Sequence, residues 1–247
     1  VFNVNNLRVM LTYGKFEAGA TFPYWSLSLE EQFYLVLPFV VWLCGKRLPL
    51  VLGVVVVLQL VFPRTPLGTI MRCDALALGV LIAIWSRLDS YRLFEPRFMA
   101  NRRVRVALMA ILAGGLALAG GEDMHVPVPI SLVAFIGAIL VFMASYDRHY
   151  IMAPGWIKQL LLWVGSRSYA IYLIHIPAYF ATREIWFRLQ PPGIGFDPGF
   201  TGKFLVTGVV LIVVFAELNY RLVEVPLRRR GAEIATRFRA GHLPSAA

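Results

Sequence analysis

The sequence predicts an all-α integral membrane protein with about seven transmembrane helices in one bundle. Three observations carry this. Hydrophobic residues make up 58% of the 247 residues and charged residues 15%, whereas a soluble domain carries roughly 25% charged residues. The apolar residues gather into runs that reach or approach the roughly 20 residues a bilayer core demands of a helix. Lys and Arg then collect in alternate connections between those runs, the asymmetry expected of a polytopic chain. An aromatic content of 13% excludes a disordered chain, and 2 Cys exclude a disulfide scaffold. Cys44 and Cys73 lie in or beside apolar runs and read as small buried hydrophobes.

In order, the runs are 25–44, 48–62, 67–85, 104–119, 128–145, 159–181 and 204–222. The first must recruit the polar motif at its start, because the uncharged stretch 33–44 alone spans only about 18 Å as a helix. The second is short enough to be a tilted span or a re-entrant piece. The third follows Pro66 and Gly68, which permit an irregular first turn. The odd-numbered connections hold Lys46, Arg47, Arg87, Arg92, Arg97, Arg102, Arg103, Arg105, Arg148, Lys158 and the arginines from Arg228 to Arg239. By the positive-inside rule Val1 lies outside and the C-terminus in the cytoplasm. The segments 1–24 and 183–202 are too short for domains, so one membrane domain over 1–247 is expected, with a basic cytoplasmic tail over 228–247. Topology and contact with anionic lipid account for the net charge of +10 without nucleic acid, for which no module is recognisable.

Ionisable residues inside hydrocarbon cost about 2.5–3.5 kcal/mol each on insertion scales, so those that persist mark cavities or function. Four segments hold them. In WSLSLEEQFYLVLP, Trp25 to Pro38, Glu30 and Glu31 sit near the outer boundary and diverge by about 100°. One can face a bundle interior while the other meets a loop, or both can simply favour a helix start capped by Ser26 or Ser28. In GSRSYAIYLIHIP, Gly165 to Pro177, the residues Ser168, Tyr172 and His175, continued by Tyr179, are spaced four, three and four apart, a polar stripe on one helix face. In MRCDALALG, Met71 to Gly79, Arg72 and Asp74 lie about 200° apart on a regular helix and cannot share one cavity unless the first turn is irregular. In ELNYRLVEVPLRRR, Glu217, Arg221 and Glu224 form a structural ladder that Pro226 is expected to end. His125, His149 and His242 show no spacing for a metal site, and no metal is expected.

Two carboxylates, an imidazole and hydroxyls at similar depth fit general acid–base work on a hydroxyl during group transfer, or the proton relay of a proton-coupled exporter of a small solute. A resemblance chooses between them. WSLSLEEQFYLVLP, RCDALALG, GSRSYAIYLIHIP and YRLVEVPLRR resemble four successive blocks of the acyltransferase 3 family, in order and spacing. The resemblance implies a multispanning enzyme of the bacterial inner membrane that moves an acyl group, commonly acetyl from acetyl-CoA as the donor substrate, onto a hydroxyl of a carbohydrate or cell-envelope acceptor. It places donor acyl-CoA on the cytoplasmic side and the acceptor outside, meeting near Glu30, Glu31, Asp74 and His175. His175 is then expected to handle the proton, Glu30 or Glu31 to orient it or the acceptor, and Arg72 to contact the donor carbonyl or a carboxylate. Trp25, Ser168, Tyr172 and Tyr179 would shape the substrate pocket. The family pattern begins with about three further spans carrying a basic residue and, after about ten residues, a catalytic His. No His here reproduces that pairing, since Gly114, Ala138, Val164 and Gly231 stand eleven positions before His125, His149, His175 and His242. Pro23 also stands where the family often has a His. The chain is therefore expected to be a C-terminal portion that needs the upstream spans for activity.

Overall fold

The apolar runs become helices close to where hydropathy places them, because an apolar backbone with no water to bond must satisfy its own N–H and C=O groups. The computed structural model describes residues 5–11, 23–61, 72–119, 129–190 and 195–241, and the regular structure among them is helical throughout. Two compact units are present, Val1–Ala153 and Pro154–Ala247, and each is described by itself.

The first unit contains α1 (Asn5–Leu11), α2 (Trp25–Cys44), α3 (Leu48–Val61), α4 (Asp74–Trp85), α5 (Arg102–Ala119) and α6 (Pro129–Ala144). α1 packs on α2, and α3 on α4; α6 contacts both α4 and α5. Gly45 joins α2 to α3 at φ 49°, left-handed backbone that glycine adopts without a Cβ penalty. Leu48, Leu52 and Val56 of α3 bury against Ala77 of α4, van der Waals packing that holds the two helices together. A reciprocal amide pair fastens α1 to α2. Asn6 Nδ2 donates to Gln32 Oε1 at 2.8 Å, Gln32 Nε2 donates back to Asn6 Oδ1 at 3.0 Å, and Asn6 is fully buried. Gln32 of the EEQ triplet is thus a structural clasp.

The connection from α4 to α5 folds onto the end of α6. Trp85 stacks on Phe142 at 5.3 Å and Tyr91 on Tyr146 at 4.5 Å. Tyr146 Oη donates to the Tyr91 carbonyl at 2.7 Å, and Tyr150 Oη to Glu95 Oε1 at 2.8 Å. The Tyr150 hydroxyl, aided by Arg148 and Arg97 at 3.5 Å each, holds the Glu95 carboxyl below the usual carboxylate range. Burial, followed by the neighbouring Tyr91, pushes Tyr146 up to about 12. The signs are opposite. Glu95 supplies stability present above the ordinary carboxylate pKa and lost as pH falls through its own lowered value. Tyr146 supplies stability present below pH 10 and lost as pH rises to about 12. Trp85 fluorescence is therefore expected to shift at both the acid and the alkaline end, and Glu95→Gln to remove only the acid shift; an acid shift that survives this change would refute the assignment to Glu95.

The second unit contains α7 (Trp156–Ser166), α8 (Ser168–Leu189), a 3-10 turn Pro198–Phe200, α9 (Thr201–Asn219), a π-helical stretch Tyr220–Glu224 and α10 (Val225–Gly241). α8 packs along α9. Trp186 Nε1 donates to Thr207 Oγ1 at 3.1 Å across this contact.

Several expected boundaries move for local physical reasons. Helix α4 begins at Asp74, and just ahead of it Cys73 N donates to Gln59 Oε1 at 3.1 Å while Gln59 Nε2 reaches Cys73 Sγ at 3.5 Å. Residues 62 and 67–71 of the expected runs lie outside the described residues, as do Pro66, Gly68, His125 and His242. The run 159–181 divides at Arg167, whose backbone leaves helical geometry at φ −111°, ψ 8°. Arg167 Nε and Nη2 grip Glu217 at 2.5 and 3.2 Å, and its guanidinium lies 4.3 Å from the centre of the Tyr220 ring. Pro226 does not end the last helix. The π-helical stretch before it shifts bonding to the fifth residue, Val225 N to the Tyr220 carbonyl, and the helix continues through Pro226. In the ladder expected there, Arg221 does pair with Glu217 at 2.5 Å, while Glu224 pairs with Arg228 at 2.5 Å.

The continuous helical runs Trp25–Leu60 and Pro198–Phe238 are long and apolar enough to cross a membrane; Asp74–Trp85 and Ser131–Ala144 are apolar but shorter. The expectation of seven spans thus narrows to an all-helical chain with two runs of spanning length among the described residues. Large apolar side chains are exposed and several polar side chains buried among the described residues. Trp42 and Leu43 are 81% and 72% exposed, while Asn6, Ser28, Asp74 and Thr182 are at most 2% exposed.

Candidate active site

α8 carries the polar stripe. Its chain enters from Arg167, so Ser168 opens the helix and lies exposed, while Tyr172 and His175 are half-buried one and two turns further on. His175 Nδ1 is 2.5 Å from the Tyr172 carbonyl oxygen. A carbonyl only accepts, so Nδ1 carries the proton and Nε2 is the basic nitrogen of the neutral ring. The Tyr172 ring lies 5.3 Å from the imidazole. The backbone of one sequence-predicted residue thereby sets the tautomer of another.

His175 and Tyr179 border a cavity of about 720 Å³ between α8 and α9. Two residues beyond the expected stripe complete its α8 wall, Thr182 and Arg183. Thr182 continues the spacing three residues after Tyr179, a signal readable in the sequence. Asp197 and Phe196 enter from the turn before α9, and no spacing along α8 could have announced them. Asp197 Oδ1 accepts from Gly199 N at 2.9 Å, which holds that turn in place. Phe196, Phe200 and Phe204 meet edge to face at 5.0–6.2 Å and form an aromatic wall. Among the described lining residues Arg183 supplies a cation and Asp197 a carboxylate.

The remaining expected site residues belong to the first unit. Trp25 begins α2 half-buried, and Glu30 and Glu31 are both exposed on the same helix. Neither serine supplies the cap weighed as an alternative. Tyr24 stands at the N-cap position without a side-chain bond, and Ser28 Oγ donates to the Tyr24 carbonyl at 3.2 Å. Arg72 and Asp74 pair directly with each other, with side chains 9% and 3% exposed. The irregular turn that such a pairing requires is present, since residues 72 and 73 precede the helix. Asp74 Oδ1 also accepts from Ala75 N at 3.0 Å, while Arg72 Nη1 is buried with no hydrogen-bond partner. Among the described residues, no group of three or more His, Cys, Asp and Glu side chains is placed to hold a metal ion.

An imidazole with a fixed basic nitrogen, at the edge of a cavity lined by hydroxyl and aromatic groups, an arginine and a carboxylate, has the make-up needed to take a proton from a bound hydroxyl. That is the chemistry of group transfer to oxygen. The chain belongs to the acyltransferase 3 family, whose acyltransferase domain matches residues 2–217. It is 24% identical over 226 residues to the O-acetyltransferase OatA of Staphylococcus aureus (strain NCTC 8325 / PS 47), covering 84% of this chain and 36% of that protein. It is 26% identical over 227 residues to the peptidoglycan O-acetyltransferase OatA of Listeria monocytogenes serovar 1/2a, covering 84% of this chain and 35% of that protein. The chain thus spans about a third of the length of these curated relatives. No solved structure matches it. Family membership favours transfer over the exporter.

One expectation is corrected. Coenzyme A is not retained as the donor, because the relatives are named for the acetyl group they move and their names specify no coenzyme A carrier.

Proposed function

We propose that the protein is an integral membrane O-acetyltransferase that esterifies hydroxyls of an envelope carbohydrate at the outer face of the bacterial inner membrane. The observation that carries this reading is the match of the acyltransferase domain across residues 2–217. His175 Nε2 takes the proton of the acceptor hydroxyl as that oxygen attacks the acetyl carbonyl, and the donor's leaving group departs as the ester forms. A carbohydrate acceptor is supported by the Listeria relative, which is named for peptidoglycan. A membrane location is supported by the two spanning-length helical runs and by the exposed apolar faces of α2, α3 and α9. A cytoplasmic C-terminus is supported by the arginine placement. In the first unit, Glu30 and Glu31 are proposed to contact the acceptor, with Trp25 beside them. Arg72 and Asp74 are proposed to hold the start of α4, the free Nη1 of Arg72 serving a carbonyl oxygen during the reaction.

The test is made in the source strain with its complete gene. Deletion is expected to remove base-labile acetate from one class of envelope glycan, and re-expression of the complete gene to restore it. Unchanged ester content in every glycan fraction would overturn the proposal.

A further inference from the structure

Thr182 is 2% exposed, and its Oγ1 has no hydrogen-bond partner. A helical threonine ordinarily returns its hydroxyl to a carbonyl in the preceding turn, and this one does not. It lines the cavity, and the helix opposite presents Gly208 there. A Cβ added to Gly208 would lie 3.6 Å from that hydroxyl, so a longer side chain would occupy the space in front of it. Buried donors are almost always satisfied in folded proteins, and a consistent exception calls for an occupant. Thr182 is seven residues from His175, a rise of about 10 Å along α8. That distance exceeds the breadth of a single sugar ring.

From this spacing we infer that the cavity is an extended acceptor subsite for a saccharide of at least two rings. One ring presents its hydroxyl to His175, and the next is held by the Thr182 hydroxyl, with Arg183 and Asp197 bonding ring hydroxyls and Phe196 covering an apolar ring face. This rests on the O-acetyltransferase reading. It adds a length requirement and assigns distal recognition to Thr182 and Gly208, neither of which takes part in proton transfer.

The experiment uses the glycan whose acetate is lost in the deletion strain, cut into fragments of one, two and four sugar residues and de-esterified. Binding of each fragment to the purified complete protein is followed by tryptophan fluorescence. Two- and four-residue fragments are expected to bind about tenfold tighter than the single sugar. Thr182→Val is expected to weaken the longer fragments by about fivefold to tenfold, the loss of one buried hydrogen bond, and to leave the single sugar unchanged. This variant exchanges an unpartnered hydroxyl for a methyl of similar shape, so the fold is retained. Gly208→Leu is expected to act on the longer fragments in the same direction. Equal affinity for one and two residues, or longer-fragment binding unchanged by Thr182→Val, would overturn the inference while leaving the transferase reading intact. A deletion strain that loses no glycan acetate would instead remove the transferase reading, and the inference with it.

Discussion

Replacing His175 by alanine in the complete protein is expected to lower O-acetyl transfer by about 100-fold or more, the usual contribution of a general base. The expectation follows from one contact. With Nδ1 donating to the Tyr172 carbonyl at 2.5 Å, the neutral ring carries its lone pair on Nε2, the nitrogen to which the proton-accepting role is assigned. A histidine that merely packs would behave differently, since its loss would lower the amount of folded protein rather than turnover per molecule. The measurement is therefore base-labile acetate per unit of immunodetected protein. His175→Gln, which keeps much of the shape and polarity but cannot serve as a base near neutral pH, should be as inactive as alanine. Tyr179→Phe, at the same cavity, should change turnover far less. Transfer within about twofold of wild type in His175→Ala would remove the role assigned here.

The second large effect is on stability. Asp74→Ala is expected to destabilise the protein by about 3–5 kcal/mol, the cost of leaving one member of a buried ion pair uncompensated. Arg72 and Asp74 have side chains only 9% and 3% exposed, and Nη1 of Arg72 already lacks a partner. Without the carboxylate, the guanidinium would be left charged and poorly bonded, because arginine does not shed its proton in proteins. The Ala75 N–H would also lose its acceptor. Removing both charges, as Arg72→Met with Asp74→Ala, should recover more than half of the loss, since a buried pair replaced by apolar groups is often near neutral. Thermal unfolding of the detergent-solubilised protein reads both variants. A loss under about 1 kcal/mol in Asp74→Ala would show that water or another group reaches Arg72 and that the pair is not a structural anchor.

Family membership, the helical class and the run Trp25–Cys44 are legible in the sequence, because they depend on local composition and on motifs whose residues are contiguous. The same holds for the stripe from Ser168 to Tyr179, set by helical periodicity alone, and periodicity extended by one step would have included Thr182. Features that depend on partners far along the chain are different. The break at Arg167 falls in the polar stretch Gly165–Ser168, inside a segment read as one span, and the contact with Glu217, 50 residues away, accompanies it. The non-helical backbone at residues 72 and 73 accompanies Gln59 bonding to Cys73 across 14 residues. Gln32 reads as one polar residue among three until Asn6, 26 positions earlier, meets it.

By itself the sequence determined which segments must be helical and which polar side chains share a helix face, since both follow from the covalent geometry of the backbone and the spacing of apolar groups. Only the tertiary structure decided that Asp197 and Phe196 join Thr182 at one cavity, that Gln32 meets Asn6, and that Arg167 grips Glu217. Those outcomes are matters of ångströms between side chains, which depend on how helices pack and not on how residues are ordered.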